Sequence, residues 1–455
     1  MPEASAPHGA LAEPGEPGYA DATAVFNLAV KVRPRAAVVA RTVDEIRSAL
    51  ETARSRGLRV RTLGTGHAAG SVRPLDDGLL VRPRLKGTVE VDAARRVARV
   101  PAGTTWGEVV QATAPYGLTA AHGSSGSVGV VGYLLGGGVS FYGRLVGLAS
   151  NTLRAAELVT ADGELLRADT ELLWALRGGG GGFGVVTAVE LDLLPVHRVL
   201  TGGSYWPIDD AFELLETWLE WTRHAPRRAT TSWRVMNLPD LPGVPPVLAG
   251  RMVVTLDGAV TAATPRDLEA ARGDLDDLLG PLYALGTPLM DTWQETGPAG
   301  VLEAHMDPPF PVPFIGDHLV LRDPGPEGCR SFLDAVGEGS GSPLAVATLR
   351  QLGGAFAEPG QVSAALASVD GHLAYMGSGP PVGPVTAEDL IGHRSVVRRA
   401  LGAWDTGRTI PSLVEAYGSP QRHLDERTAL AVAGIRGRLD PEGLFGHDVG
   451  AGALA

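Results

Sequence analysis

Short β-rich runs alternate with amphipathic helical segments along the first part of the chain, from about residue 34 to about residue 195. The first unit comprises a strand at 36–40, a helix whose apolar residues recur on one face over 43–53, and a strand that begins at residue 58. A capping-box pair precedes the helix and a glycine ends it. This alternation predicts an α/β or α+β domain.

The pattern changes after residue 195, where aromatic residues and proline clusters become frequent. Regular spacing of apolar residues predicts one helix and four strands in this part. The helix covers 265–279, and the strands cover 251–256, 318–321, 345–349 and 372–376. Such an order favours an antiparallel sheet with helices on one side, so we expect a second domain here.

The composition indicates a globular protein whose partners are small molecules. The chain has 455 residues, of which 44% are apolar and 20% charged, so it can form a large core. Its net charge of −12 opposes the capture of nucleic acid or of an anionic membrane surface. Cys329 is the single cysteine, which excludes an intrachain disulfide. Because no stretch is apolar enough to span a bilayer, we expect a soluble cytoplasmic protein.

One strand-like run leads into the loop Gly64-Thr65-Gly66-His67. Glycines lack a Cβ atom, so the backbone N–H groups of such a loop can approach an anionic phosphate closely. His67 follows this turn and is a candidate functional side chain, because loops concentrate function. The alternative is a structural histidine that bonds a backbone carbonyl.

A second glycine-rich segment covers 123–132 and continues to 136–138. Glycine weakens the interior of helices and strands, so either close passage beside a ligand or a set of tight turns explains the segment. A third segment, 177–186, formally contains the GxGxxG pattern. It lies between a helix and a strand, the reverse of a dinucleotide fingerprint, which disfavours NAD. The sequence has no motif with metal-ligand spacing, so we predict no metal site.

Together these segments resemble the FAD-binding domain of the vanillyl-alcohol-oxidase and p-cresol-methylhydroxylase (PCMH) superfamily, in particular the bacterial berberine-bridge-enzyme-like oxidoreductases. The resemblance covers nearly the full length of the chain. The residues that carry it are Tyr19, Asn27, Arg33-Pro34, the Gly-Thr-Gly-His loop, Val128-Gly129, the triple glycine, Arg144, Gly147-Leu148, Thr160-Ala161-Asp162-Gly163, Trp174-Ala175-Leu176-Arg177, His305-Met306-Asp307-Pro308, Leu352-Gly353-Gly354-Ala355, Asp440-Pro441 and Leu444-Phe445.

The resemblance implies an α+β fold. A PCMH-type FAD-binding domain of two α/β subdomains would join a substrate domain that has an antiparallel sheet flanked by helices. The expected boundaries are a flexible N-terminal tail at 1–24, the FAD-binding domain at 25–198, the substrate-binding domain at 199–415, and a C-terminal segment at 416–455 that returns to the FAD-binding domain.

The resemblance also implies FAD as cofactor. His67 aligns with the histidine that bonds covalently to the 8α-methyl group of the flavin. Some members add a second bond from a cysteine, but Ser125 stands at that position, so a single covalent link is predicted. Loop amides are expected to hold the pyrophosphate, whereas the triple glycine and Val186 line the adenine and ring regions. The predicted cofactor-binding residues are Gly64, Thr65, Gly66, His67, Ser124, Ser125, Val128, Gly129, Gly132, Gly136, Gly137, Gly138 and Val186.

The implied reaction is the transfer of a hydride from an alcohol, an amine or a natural-product intermediate to the flavin, after which dioxygen takes the electrons. A protein base would accept the substrate proton. Tyr375 lies on a strand that in relatives commonly faces the flavin ring, and Tyr142 follows the triple glycine, so these two are the catalytic candidates. Each has an alternative role as a buried packing aromatic.

Two other functions are compatible with this sequence. A flavin-scaffolded cyclisation or rearrangement enzyme of secondary metabolism would show little net redox turnover, whereas an oxidase would release peroxide. A non-catalytic binding protein on the same fold would purify without flavin. The intact loop at His67 argues against this last alternative.

Overall fold

The predicted strand, helix and strand unit forms a small parallel sheet in the computed structural model, which describes residues 9–419 and 422–445. The strands lie in the order β1-β3-β2, and the apolar face of α2 is buried against them, as its sequence pattern predicts. The elements of this first subdomain are α1 (Tyr19–Thr23), β1 (Ala36–Ala40), α2 (Val43–Ser55), β2 (Val60–Thr62) and β3 (Leu79–Pro83).

An antiparallel sheet in the order β4-β5-β9-β7-β8 forms the second subdomain, and a separate short pair joins β6 to β10. Its helices are short because glycines interrupt the sequence between them. The elements are β4 (Glu90–Asp92), β5 (Val97–Pro101), α3 (Trp106–Thr113), β6 (Leu118–Thr119), α4 (Val130–Leu135), α5 (Gly143–Val146), β7 (Leu153–Val159), β8 (Leu165–Arg167), α6 (Thr170–Leu176), β9 (Val185–Asp192) and β10 (Leu194–Pro195).

The second domain contains one large antiparallel sheet in the order β14-β11-β13-β12-β17-β18-β16, with β15 also paired to β11. Helices α7 to α10 cover one face of this sheet. The predicted α+β fold with an antiparallel sheet is thus confirmed. The elements are β11 (Arg198–Pro207), α7 (Ala211–His224), β12 (Ala229–Asn237), β13 (Met252–Ala262), α8 (Asp267–Leu285), β14 (Met290–Asp291), β15 (Gln294–Thr296), β16 (Ile315–Leu321), α9 (Gly325–Val336), β17 (Val346–Gln351), β18 (Leu373–Gly379) and α10 (Ala387–Ala400).

The last helix, α11 (Glu426–Leu439), packs its apolar side into the core of the second subdomain. Its buried Arg436 donates hydrogen bonds to the carbonyl oxygens of Gly179 and Gly181, in the third glycine-rich segment. Beyond it, Leu444 and Phe445 enter the core of the first subdomain. Two separate cores of the first half are therefore completed by residues from the end of the chain. Residues 446–455 of the predicted C-terminal segment lie outside the described residues.

The prediction of a flexible tail over 1–24 requires correction for its described part, residues 9–24. Ala12 is buried and exchanges two backbone hydrogen bonds of 2.8 Å with Ala37 of β1. Ala22 of α1 is also buried, in a small cluster with Leu80. This segment is therefore part of the first subdomain. Among the described helices, none is long and apolar enough to cross a membrane.

Arg144 on α5 joins the two halves of the protein. Its buried guanidinium donates hydrogen bonds to three carbonyl oxygens of the second domain, those of Ala225, Ala229 and Leu352. Buried carbonyl groups without a partner are costly, so this one side chain satisfies three groups that the interface would otherwise leave unpaired. The sheet is thereby held at a fixed position relative to the FAD-binding loops.

We expect Arg144→Met to lower the free energy of unfolding by about 3 kcal/mol or more, because each hydrogen bond to a charged group contributes about 1.5–3 kcal/mol. Urea denaturation followed by circular dichroism measures the change. Arg154→Met is the matched control, since Arg154 forms an exposed pair with Asp192 that contributes about 0–1 kcal/mol. Equal losses in the two variants would contradict the role assigned to Arg144.

Candidate active site

His67 lies in the loop after β2, where two side chains fix its ring. Its Nε2 atom is 3.0 Å from the hydroxyl oxygen of Ser127, and the ring of Phe26 stacks on it with 3.7 Å between centroids. Gly66 has a φ of +80°, and a Cβ atom there would lie 2.6 Å from the Val25 side chain. Glycine is therefore needed immediately before the histidine, and the loop presents the imidazole in one orientation.

The second glycine-rich loop, residues 123–129, lies beside the first. The Thr65 hydroxyl accepts a hydrogen bond of 3.1 Å from the backbone N–H of Gly129 and so joins the two loops. The hydroxyl oxygens of Ser125 and Ser127 are 2.8 Å apart, which extends the polar chain that begins at His67. Residues predicted from two separate motifs are thus in one place.

Both loops have unpaired backbone donors beside open space. Within the described part of the chain, the N–H groups of residues 64–67 and 124–127 donate no hydrogen bond to the protein. A Cβ atom built on Gly64 of the first loop would meet no heavy atom within 4 Å, and the same holds for Gly132 of α4, which follows the second loop. Free N–H groups that converge in this way suit an anionic pyrophosphate. The residues present therefore fit FAD.

The environment of His67 favours a neutral imidazole. Burial lowers its pKa to about 4, although the Asp307 carboxylate and the hydrogen bond to Ser127 act in the opposite direction. At neutral pH one ring nitrogen therefore keeps an unprotonated lone pair, which is the form that can bond to an electrophilic carbon.

The sheet of the second domain presents polar groups toward these loops. Side chains alternate between the two faces of a strand. Trp233 and Leu349 pack under the helices, so their neighbours Arg234 and Arg350 lie on the opposite face. Asp257 of β13 shares this face and is completely buried.

Arg234, Asp257 and His305 form a buried network at the centre of this face. The Asp257 carboxylate oxygen Oδ2 lies 2.6 Å from the Arg234 guanidinium and 3.0 Å from His305 Nδ1. Burial alone would raise the pKa of Asp257, but the charges of Arg234 and His305 lower it below its usual value. The bond between Asp257 and Nδ1 fixes the orientation of the His305 ring.

The segment His305-Met306-Asp307 connects this network to the cofactor loops. Met306 has a φ of +54°, an unusual conformation for a residue with a side chain, of the kind that clusters at functional sites. On one side of it His305 bonds Asp257; on the other, Asp307 accepts a hydrogen bond of 2.6 Å from the Ser124 hydroxyl. A single turn of the second domain therefore contacts both the sheet and the FAD loop.

Comparison with known proteins agrees with this geometry. Residues 34–169 match the family described as FAD binding domain. The chain is 30% identical over 226 residues to an uncharacterized FAD-linked oxidoreductase of Bacillus subtilis, covering 48% of this chain and 50% of the relative. It is 34% identical over 175 residues to (R)-6-hydroxynicotine oxidase of Paenarthrobacter nicotinovorans, covering 37% and 38%. These alignments span half or less of the relatives they match.

The fold comparison covers nearly the whole chain. The structure of 6-hydroxy-D-nicotine oxidase from Arthrobacter nicotinovorans superposes with a TM-score of 0.81 at 20% identity, over 99% of both chains. A berberine-bridge-enzyme-like protein of Physcomitrella patens gives 0.78 at 20% identity, over 96% of this chain and 95% of that one. The chain therefore shares the fold of these structures, and within it residues 34–169 match the FAD binding domain family.

The triple glycine, Gly136 to Gly138, has a packing role in this structure. The N–H groups of Gly136 and Gly137 bond carbonyls within their own turn, and that of Gly138 donates to the Ser412 hydroxyl at 3.1 Å. A Cβ atom on Gly138 would clash with the ring of Tyr133. Val186 lies in the core of the second subdomain. Contact of these residues with the adenine and ring regions stays a prediction.

The proposal of Tyr375 as catalytic base is wrong. Its ring lies under the helices, 6.1 Å from the ring of Phe332 on α9, whereas the adjacent Ala374 packs toward the FAD-binding domain. Successive side chains of a strand point to opposite faces of the sheet, so an error of one residue places a side chain on the wrong face. Burial also raises the pKa of Tyr375, which disfavours a tyrosinate.

Tyr142 also does not fit the role of catalytic base. It is buried in an apolar cluster with Phe141, Val196 and Val301, and its hydroxyl is 3.5 Å from the carbonyl oxygen of Pro298. Burial raises its pKa well above the usual value. Its ring therefore serves packing between the domains.

Sequence reasoning did not identify the network of Arg234, Asp257 and His305 in this protein. One signal was available: Arg234 and Asp257 are the single charged residues of their strands. Charges at such positions are almost always paired. The pairing itself requires the register of β12 on β13, which the sequence does not reveal.

We expect Asp257→Asn to lower the free energy of unfolding by about 3–5 kcal/mol, because it leaves the buried Arg234 guanidinium without its counter-charge. Chemical denaturation at pH 7 measures the loss. Asp192→Asn, which breaks the exposed pair with Arg154, should cost about 0–1 kcal/mol. A loss for Asp257→Asn as small as this control would show that the pair is not buried in solution.

Proposed function

We propose that this chain is an FAD-dependent oxidase that passes a hydride from a small-molecule alcohol, amine or natural-product intermediate to a flavin held covalently by His67, with dioxygen as the electron acceptor. The observation that carries this proposal is the placement of His67. It lies between a set of unpaired loop amides and the polar face of the second domain.

When bound, FAD would supply the hydride acceptor. The loop amides of 64–67 and 124–127 would hold its pyrophosphate, since they have no protein acceptor within the described residues. The neutral imidazole of His67 would form the single covalent link. Ser125, at the position of the second link in some members, carries a hydroxyl rather than a thiol.

His305 is our proposed proton acceptor. Its Nδ1 is bonded to the buried carboxylate of Asp257, which orients the ring and stabilises the imidazolium formed when Nε2 takes a proton. Its side chain is 11% exposed, so a ligand in the site could reach the ring. Removal of a hydroxyl or ammonium proton would make the adjacent carbon a better hydride donor.

The names of the relatives support a small-molecule substrate. They include (R)-6-hydroxynicotine oxidase and, at 30% identity over 226 residues (48% of this chain and 43% of the relative), glucooligosaccharide oxidase of Sarocladium strictum. These compounds differ widely in polarity, and the relatives are matched over less than half of their length. The substrate therefore has to be identified from the site of this chain.

The covalent link is tested by the intact mass and flavin fluorescence of the denatured protein. We expect wild type to carry the added mass of FAD, and His67→Ala to lose it completely because there is a single link. His224→Ala is the matched control, since that side chain is 83% exposed. Flavin that separates from denatured wild type would contradict the covalent link. Protein purified without any flavin would instead favour the non-catalytic alternative.

The role of His305 is tested by the rate of flavin reduction under anaerobic conditions, with a substrate found by screening alcohols and amines for peroxide release. We expect His305→Gln to slow reduction by about 10²–10⁴-fold and to remove the rise in rate that follows deprotonation of a group in wild type. Flavin content should stay unchanged. A variant that keeps both the rate and the pH profile would exclude His305 as the base.

A further inference from the structure

Arg350 is a buried cation without a carboxylate partner. Its side chain is 3% exposed, and within the described residues no Asp or Glu oxygen lies within 4.0 Å of it. Its Nε donates to the Ser232 hydroxyl, and its guanidinium lies 3.9 Å from the ring centroid of Phe141. The two terminal nitrogens donate no hydrogen bond to any described residue. Such a group has high affinity for an anion.

The other charges on this face already have partners. Arg234 is paired with Asp257, and Asp307 accepts from Ser124. Burial lowers the pKa of Arg350, and the more distant carboxylates of Asp257 and Asp307 only partly offset this effect. Among the described arginines of this face, Arg234 has an ion-pair partner and Arg350 has none.

A further unpaired group lies nearby. The Tyr133 hydroxyl is buried, bonds no described residue, and is close enough to Arg350 for the two to interact electrostatically. Tyr133 belongs to α4, which follows the second cofactor loop. Arg350 and Tyr133 therefore bring unpaired donors near each other from the two domains, and a ligand oxygen could accept a hydrogen bond from each of them.

We propose, on the basis of the function inferred above, that Arg350 binds an anionic oxygen group of the substrate, a carboxylate or a phenolate, and that the rest of the substrate is apolar. The guanidinium fork matches two oxygens of a carboxylate. Phe141, which is buried behind the guanidinium, supports the cation from the protein side. Met306 and Phe310, which are 45% and 62% exposed, provide apolar surface on the segment that carries His305 and Asp307.

The experiment measures binding of benzoate, phenylacetate and cinnamate to the purified holoenzyme by calorimetry and by the change in flavin absorbance. The uncharged amide of each compound is the matched ligand. We expect at least one carboxylate to bind at a single site and at least about tenfold more tightly than its amide. Arg350→Met should weaken that binding by about tenfold or more, and Arg350→Lys by less. Arg154→Met, at the exposed pair with Asp192, should bind as wild type does.

Three results would overturn the proposal. The first is no carboxylate binding to wild type, and the second is equal affinity of wild type and Arg350→Met. The third is unchanged affinity together with a lowered flavin reduction potential in Arg350→Met, which would assign the cation to the flavin itself. Retained flavin in the variant shows that it has folded. Loss of flavin from wild type would refute the oxidase function, and calorimetry would still decide the role of Arg350.

Discussion

Charge buried where the two domains meet has to be compensated, and this requirement shapes the interface. The interface between the FAD-binding domain and the large sheet contains several arginines, and each must find acceptors inside the protein or attract a ligand. Arg144 meets this requirement with three carbonyls of the second domain, whereas Arg234 pairs with one carboxylate inside the second domain. The bonds of Arg144 therefore hold the sheet against the FAD-binding domain.

The local elements were predictable because their signals lie within a few residues. The unit from β1 to β2 follows directly from periodicity, capping and glycine punctuation. The loop at His67 was also recognisable, because glycine at 66 is required by a φ of +80° and by Val25. Where a local backbone conformation requires a particular residue type, the sequence alone is sufficient to predict that conformation.

The polar face of the large sheet could not be predicted in this way. Alternate residues of a strand face the FAD-binding domain or the helices, so an offset of one residue assigned Tyr375 to the wrong face. The contact of His305 with Asp257 joins a loop residue to a strand residue that lies 48 positions earlier in the chain. Such pairs depend on tertiary register, and neither spacing nor composition encodes it.

The position of α11 has a consequence for biosynthesis. Residues after 425 complete two cores. Val432 and Ile435 pack with residues of the first 200 and with residues of the second domain, and Leu444 and Phe445 pack with residues of the first 200 alone. A nascent chain emerging from the ribosome therefore cannot close either core until translation has passed through the whole second domain.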